Sequence, residues 1–163
     1  MLTNFRTGRI LQALGNVYES QGKLDESFGF HKRALEQFRS TVGHSHHRTA
    51  DVCHKLAGHY IRIREYETAR YLNLPHKRGE RLTHSRKLLE QALRIYNGRA
   101  QLKQEKARTS FKMGILLQVT VHKEAAVHLQ EAWSIYHALI PNNGRTLKDL
   151  TDADFDSLVS FWT

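Results

Sequence analysis

Cysteine is almost missing from this chain: Cys53 stands alone among 163 residues. One thiol closes no internal disulfide, so the fold has to rest on its own core, and a reducing, cytoplasmic setting is the expectation. Proline occurs twice and glycine ten times, too few for a fibrous or loop-rich chain. Long apolar runs are missing as well. The stretch around Met113 to Leu117 falls far below the roughly eighteen residues that a membrane-spanning helix needs, and the amino terminus carries no hydrophobic signal segment. Also absent are a Gly-x-Ser-x-Gly elbow, a phosphate-binding Gly-x-x-x-x-Gly-Lys loop and a paired-histidine metalloprotease motif, so no enzyme and no catalytic residue are expected. Eleven histidines are present, with His44, His46 and His47 close together and His54 and His59 further on. No cysteine or carboxylate accompanies them at ligand spacing, and neither a metal nor a cofactor is expected. Cys53, beside Val52, reads as a buried structural thiol.

What is there is helical periodicity. With 40% apolar content, the chain is long enough for one domain and short for two, and its apolar residues recur at helical rather than alternating spacing. Three segments line up as helical hairpins: residues 11–35, residues 53–70 continued by 87–96, and residues 110–136. In each first helix a large residue is followed by a small one and, three positions on, by another large one: Leu14, Gly15, Tyr18; Leu56, Ala57, Tyr60; Met113, Gly114, Leu117. The small residue cuts a notch that lets the second helix approach, and that helix brings its own small residue near its end, at Ala34, Ala92 and Ala132. Tyr18, Tyr60, Trp133 and Tyr136 fall at core positions of these helices.

This pattern resembles the tetratricopeptide repeat, whose commonest form repeats at about 34 residues; here Leu14 and Leu56 stand 42 apart. The longer period is similar to the kinesin light chain type. The segment Val42–Ala50 also resembles the linker of that subfamily at Val42, Gly43, His46 and Ala50, with His47 where proline is usual. The ending from Leu150 to Trp162 looks like the tail of fungal tetratricopeptide proteins. The resemblance implies an all-α α-solenoid of about three hairpins, with repeats at residues 6–41, 48–96 and 105–139 within an array of residues 5–139. It also implies a protein-interaction module of the kind found in the carboxyl-terminal part of longer proteins; Met1 begins almost inside the first helix, as in a fragment. A capping segment follows at residues 145–163. In it Thr151 and Asp154 read as a capping box opening a short helix whose Phe155, Leu158, Val159 and Trp162 form one stripe that docks on the last hairpin.

One stretch does not fit the array. Seven residues separate Ser27 from Ala34 and Ala125 from Ala132, whereas Ala69 and Ala92 lie 23 apart. Removing residues 71–86 restores the spacing, so this segment reads as an insert that splits the second helix of repeat two after Arg70. Pro75 and Gly79 break helical continuity, and a mobile loop from about Tyr71 to His84 is the expectation. Lys77, Arg78, Arg81 and Arg86 against Glu80 allow a basic functional loop. The genetic code allows a second reading. Arg70-Tyr71 can be written as a splice-donor-like string, Leu82-Thr83 as a branch point, and Arg86 can carry an acceptor. The position inside a helix favours an unspliced, in-frame intron over an evolved loop. Without it the formal charge falls from +9 to +6.

Extrapolating the register, the concave face of the first helices is lined by Arg9, Gln12, Asn16, Asp51, His54, Lys55, Arg108, Phe111 and Lys112, with Arg9, Asn16, Lys55 and Lys112 sharing one groove. These residues suit an extended protein or peptide partner with acidic character. A basic helical-repeat RNA-binding protein is the rival reading. Such repeats place a recurring base-reading pair on each unit, and neither that pair nor a run of Lys and Arg interleaved with aromatics is visible, so nucleic acid is not the expected partner.

Overall fold

The computed structural model describes residues 4–69, 75–118, 122–141 and 144–159, and divides into two compact units, residues 1–95 and 96–163. All regular structure among the described residues is helical.

The first unit is built of α1 (Phe5–Ser20), α2 (Leu24–Thr41), α3 (His47–Ala69) and α4, which starts at Pro75 and runs to Tyr96. Asn4 opens α1: its side-chain oxygen accepts from the Arg6 amide at 2.9 Å, satisfying one of the donors a helix start leaves over. The chain reverses into α2 through Gly22, whose φ of 74° costs a residue without Cβ little. Two notches in α1 then receive α2. A methyl group on Gly8 would lie 2.6 Å from the Phe38 ring, and one on Gly15 would overlap the His31 ring. Leu11, Ala34, Leu35 and Phe38 are buried along this seam, whereas Leu14 is 37% exposed. The large residue before the notch therefore faces outward here, unlike its counterparts Leu56 and Met113, which are buried.

Between α2 and α3, Gly43 adopts a φ of 87° and its carbonyl accepts the Thr49 hydroxyl at 2.8 Å. His46 precedes α3 and its Nδ1 accepts from the Arg48 amide at 3.2 Å, a helix-capping role for the linker histidine.

The second hairpin of this unit departs from the sequence reading. Residues 75–96 form one continuous helix, α4, so the loop expected up to His84 is helical from Pro75 onward; Tyr71 lies outside the described residues. Proline at a first helical position forfeits an amide that has no partner there in any case, and its φ is already helical. An interior glycine costs only about 1 kcal/mol. The Arg86–Glu90 pair, four residues apart at 2.8 Å, and the Tyr60–His84 stack with ring centres 5.6 Å apart add contacts in and around the new turns.

The small residue that opens the helix core is Ser85, not Ala69. Ser85 is 1% exposed and points its hydroxyl at the Ala57 carbonyl, 3.5 Å away, as Ser27 donates to the Gly15 carbonyl at 2.8 Å. Ser85 and Ala92 are separated by the same seven residues as Ser27 and Ala34. The extra residues thus lengthen α3 and the start of α4 and leave the core of α4 intact.

In the second unit, a 3-10 turn (Ala100–Leu102) leads into α5 (Lys103–Gln118), followed by α6 (His122–Leu139), a second 3-10 turn (Leu147–Asp149) and α7 (Asp152–Asp156). A methyl on Gly114 would lie 2.5 Å from Leu129 Cγ, so the third hairpin uses the same notch with leucine as its filler. Glu131 draws the two helices together, accepting from Ser110 at 2.8 Å and pairing with Lys106 at 2.7 Å. Ala107, Phe111, Leu129, Ala132, Tyr136, Leu150 and Phe155 make one buried cluster, against which Trp133, Leu147 and Leu158 pack. Of the expected stripe, Phe155 lies inside this cluster and Leu158 against it; Trp162 lies outside the described residues. The helix starts at the expected capping box, with the Thr151 amide and hydroxyl both donating to Asp154 Oδ2 at 2.8 and 2.7 Å.

Candidate functional site

Six of the nine expected face residues belong to the first unit. Arg9 is exposed and Gln12 half-buried on α1. The others are engaged internally. Lys55 reaches from α3 to Glu19 on α1 at 3.1 Å, where Arg62 also pairs. Burial alone would raise the Glu19 carboxyl, but the Lys55 charge and the Arg62 hydrogen bond overturn that and hold it at about 2. Asp51 lies 3.8 Å from Arg48. His54 is 3% exposed and belongs to the interior, a correction to its placement on the concave face: α3 is almost wholly covered from Val52 to Leu56.

Asn16 leads into a cluster that periodicity alone does not reveal. Its Oδ1 accepts from His31 Nε2 at 3.1 Å. With that proton placed, His31 Nδ1 is a lone pair and accepts from His59 Nε2 at 3.1 Å; the Ser27 oxygen lies 3.2 Å from the same His59 nitrogen while its proton goes to the Gly15 carbonyl. His59 Nδ1 then faces Arg62 at 3.5 Å. One directed chain of hydrogen bonds therefore ties α1, α2 and α3 together and fixes both tautomers. Burial, with the His59 ring beside it, pushes His31 down to about 3, so His31 is neutral at physiological pH. Ser27, His31 and His59 are all essentially inaccessible, and the serine proton is committed to the backbone. The serine and imidazoles act as a packing device and do not make a nucleophile. One signal was available. His31 stands four residues after Ser27, where Leu89 follows Ser85 and Leu129 follows Ala125, so a histidine occupies a leucine position.

A cleft of about 300 Å³ lies between α2 and α4, lined among others by Phe28, Lys32, Leu35, Tyr60 and Leu88. Cys53 is fully buried and its thiol is pushed up to about 11 by burial, Arg39 opposing, which leaves it unreactive.

The other three residues lie in the second unit, on one stripe of α5. Phe111 stacks on Phe155 with ring centres 4.4 Å apart, Lys112 pairs with Asp152 at 3.2 Å, and Arg108 faces Asp156 at 3.8 Å. Arg108 and Phe111 are buried, which corrects their placement on an open surface: α7 covers them. Arg145 secures the turn into α7, bonding both Asp154 oxygens and the Asp149 carbonyl. The Asp154 carboxyl is held at about 2, chiefly by Arg145.

A family model described as "Tetratricopeptide repeat" matches residues 6–73. Among solved structures the chain is similar to that titled "Crystal structure of BtubC (BKLC) from P. vanneervenii", with a TM-score of 0.63 and 19% identity over 88% of this chain and 53% of that one. The chain spans about half the length of that structure, and at this identity the likeness is one of fold. No curated protein matches the sequence.

Proposed function

We propose that this protein is a non-catalytic scaffold that binds a partner peptide or domain through the faces of its first helices. The observation that supports this best is the repetition of one hairpin register, with notches at Gly15 and Gly114 filled from the partner helix. Tetratricopeptide repeats, the family matched at residues 6–73, generally mediate protein–protein interaction. Buried chemistry-bearing groups, including Ser27, His31 and Cys53, serve packing, and α1 offers Arg9 and Gln12 at its surface. The formal charge of +9 favours an acidic partner by steering its approach. Lys55, Lys106 and Lys112 each lie against a carboxylate, which takes them away from phosphate neutralisation and disfavours the RNA-binding reading. The capped linker at residues 43–49 supports the kinesin light chain type, and the buried reduced thiol suits a cytoplasmic protein.

The test starts from an acidic peptide selected against the full chain. Replacing Arg9→Glu together with Gln12→Ala lowers its affinity roughly fivefold or more in calorimetry, with helical circular dichroism unchanged, and affinity drops as salt is raised. Unchanged affinity moves the binding surface to another face; tight RNA binding at physiological salt overturns the scaffold reading.

A further inference from the structure

The contact between α7 and α5 has the form of a bound ligand. The two run antiparallel with side chains in one-to-one order: Asp152 on Lys112, Phe155 on Phe111, Asp156 toward Arg108. An acidic residue, an aromatic three positions on and a second acid directly after it present one helical face. The aromatic fills the space among Phe111, Tyr136 and their neighbours, while the acids meet the two cations on either side of it.

The match is incomplete at both ends. The Arg108 side chain is 9% exposed, yet its Nε is buried with no hydrogen-bond partner, and Asp156 at 3.8 Å stops short of hydrogen-bond distance. Leaving a buried charged donor unmade is costly. The Asp156 distance is to Nη1; a glutamate in place of Asp156 reaches about 1.5 Å further, one carbon–carbon bond, and brings a carboxylate within hydrogen-bond distance of the guanidinium. At the other end Ile115, one turn beyond Phe111 on α5, is 38% exposed, so the stripe runs on past the five-residue α7. Asp152 and Asp156 are themselves about half exposed.

We infer that the Arg108–Phe111–Lys112 stripe of α5 is a docking site for a partner helix of the pattern Asp-x-x-Phe-Glu preceded by an apolar residue, and that α7 is a resident occupant which such a partner displaces. The inference rests on the scaffold reading, names a partner class for the α5 face, and makes the tail an internal competitor. The apparent affinity of any partner is reduced by the fraction of molecules in which α7 is docked.

The test uses two labelled peptides: one copying residues 145–159, the other differing by Asp156→Glu. Both are titrated into the full chain and into the full-length variant Phe155→Ala, Asp152→Lys, with circular dichroism as the check on folding. Release of the tail raises affinity for the copied peptide about tenfold or more, the glutamate peptide binds more tightly than the copy, and Lys112→Glu added to the released variant abolishes binding. Equal affinity in both chains, or no binding by a folded released variant, overturns the inference and leaves α7 a cap. Should the released variant lose its helical signal, amide hydrogen exchange of Asp152–Asp156 in the unaltered chain decides: excess glutamate peptide accelerates it if the site is shared, and unchanged exchange sinks the idea. A peptide selected through Arg9 and Gln12 keeps its affinity in every one of these failures, which separates them from failure of the scaffold reading.

Discussion

Gly15 and His31 form a matched pair, and the glycine is there for the imidazole. Alanine at an interior helical position is favoured over glycine by about 1 kcal/mol, but a methyl on Gly15 overlaps the His31 ring, and overpacking a close seam costs about 1–3 kcal/mol. The ring cannot swing aside without breaking its hydrogen bonds to Asn16 and His59. Gly15→Ala therefore lowers the thermal midpoint. Gly29→Ala on α2, where nothing lies within 4 Å of the added methyl, raises it or leaves it unchanged. Differential scanning calorimetry of the two variants checks the contrast; a stabilised Gly15→Ala chain would falsify the notch. The notch glycines Gly15 and Gly114 are legible in the sequence because a small residue between two large ones, at helical spacing, is what a close helix crossing requires; Gly8, between Thr7 and Arg9, carries no such signal. The histidine network is not legible from periodicity, because a half-polar ring satisfies an apolar pattern only when its partners, which lie 15 and 28 residues away, happen to be in place.

Among the elements, α4 shows where sequence reading goes astray. Serine and alanine are equally small, and Ala69 is nearer the expected position than Ser85, so periodicity attaches the register to the wrong residue and turns the intervening segment into an interruption. Pro75 and Gly79 reinforce that error, since proline breaks a helix interior and yet begins a helix well. With Ser85 buried on α3 and His84 stacked on Tyr60, deleting Tyr71–Arg86 removes part of the α3–α4 seam as well as its overhang. The shortened chain melts lower than the full one and loses more helical ellipticity than a loop deletion does. Equal or higher stability would restore the view that the segment is a dispensable insertion. Arg108, Phe111 and Lys112 share one stripe of α5, and the terminal segment is expected on the last hairpin, but its place over that stripe is not foreseen, because nothing local to residues 108–112 encodes a cover that arrives some forty residues later.

At the scale of the whole molecule, the acid response separates two groups. In the unfolded chain His31 takes a proton near 6.5, while the folded chain withholds it until about 3. The unfolded state thus binds more protons in between, and this contribution to stability is complete above pH 6.5 and is lost as pH falls toward 3. Glu19, with its carboxyl held down from 4.5 to about 2, contributes stability that is complete above 4.5 and fades below it. Of these two groups only the histidine acts between pH 6.5 and 4.5, and His31→Leu, which installs the side chain found at the equivalent Leu89 and Leu129 positions, reduces the decline in thermal midpoint there. Thermal scans across that range in both chains measure the effect. A slope that survives the substitution assigns the acid sensitivity elsewhere.

The fit of His31 into the Gly15 notch also sets an order on mutational history. A lineage that first enlarges residue 15 passes through a strained, less stable intermediate, while one that first shrinks residue 31 opens room for any later change at 15. Drift at the two positions is therefore directional: relatives carrying alanine or larger at position 15 should have abandoned the imidazole at 31 beforehand, and ancestral reconstruction along that branch would recover the two substitutions in that sequence.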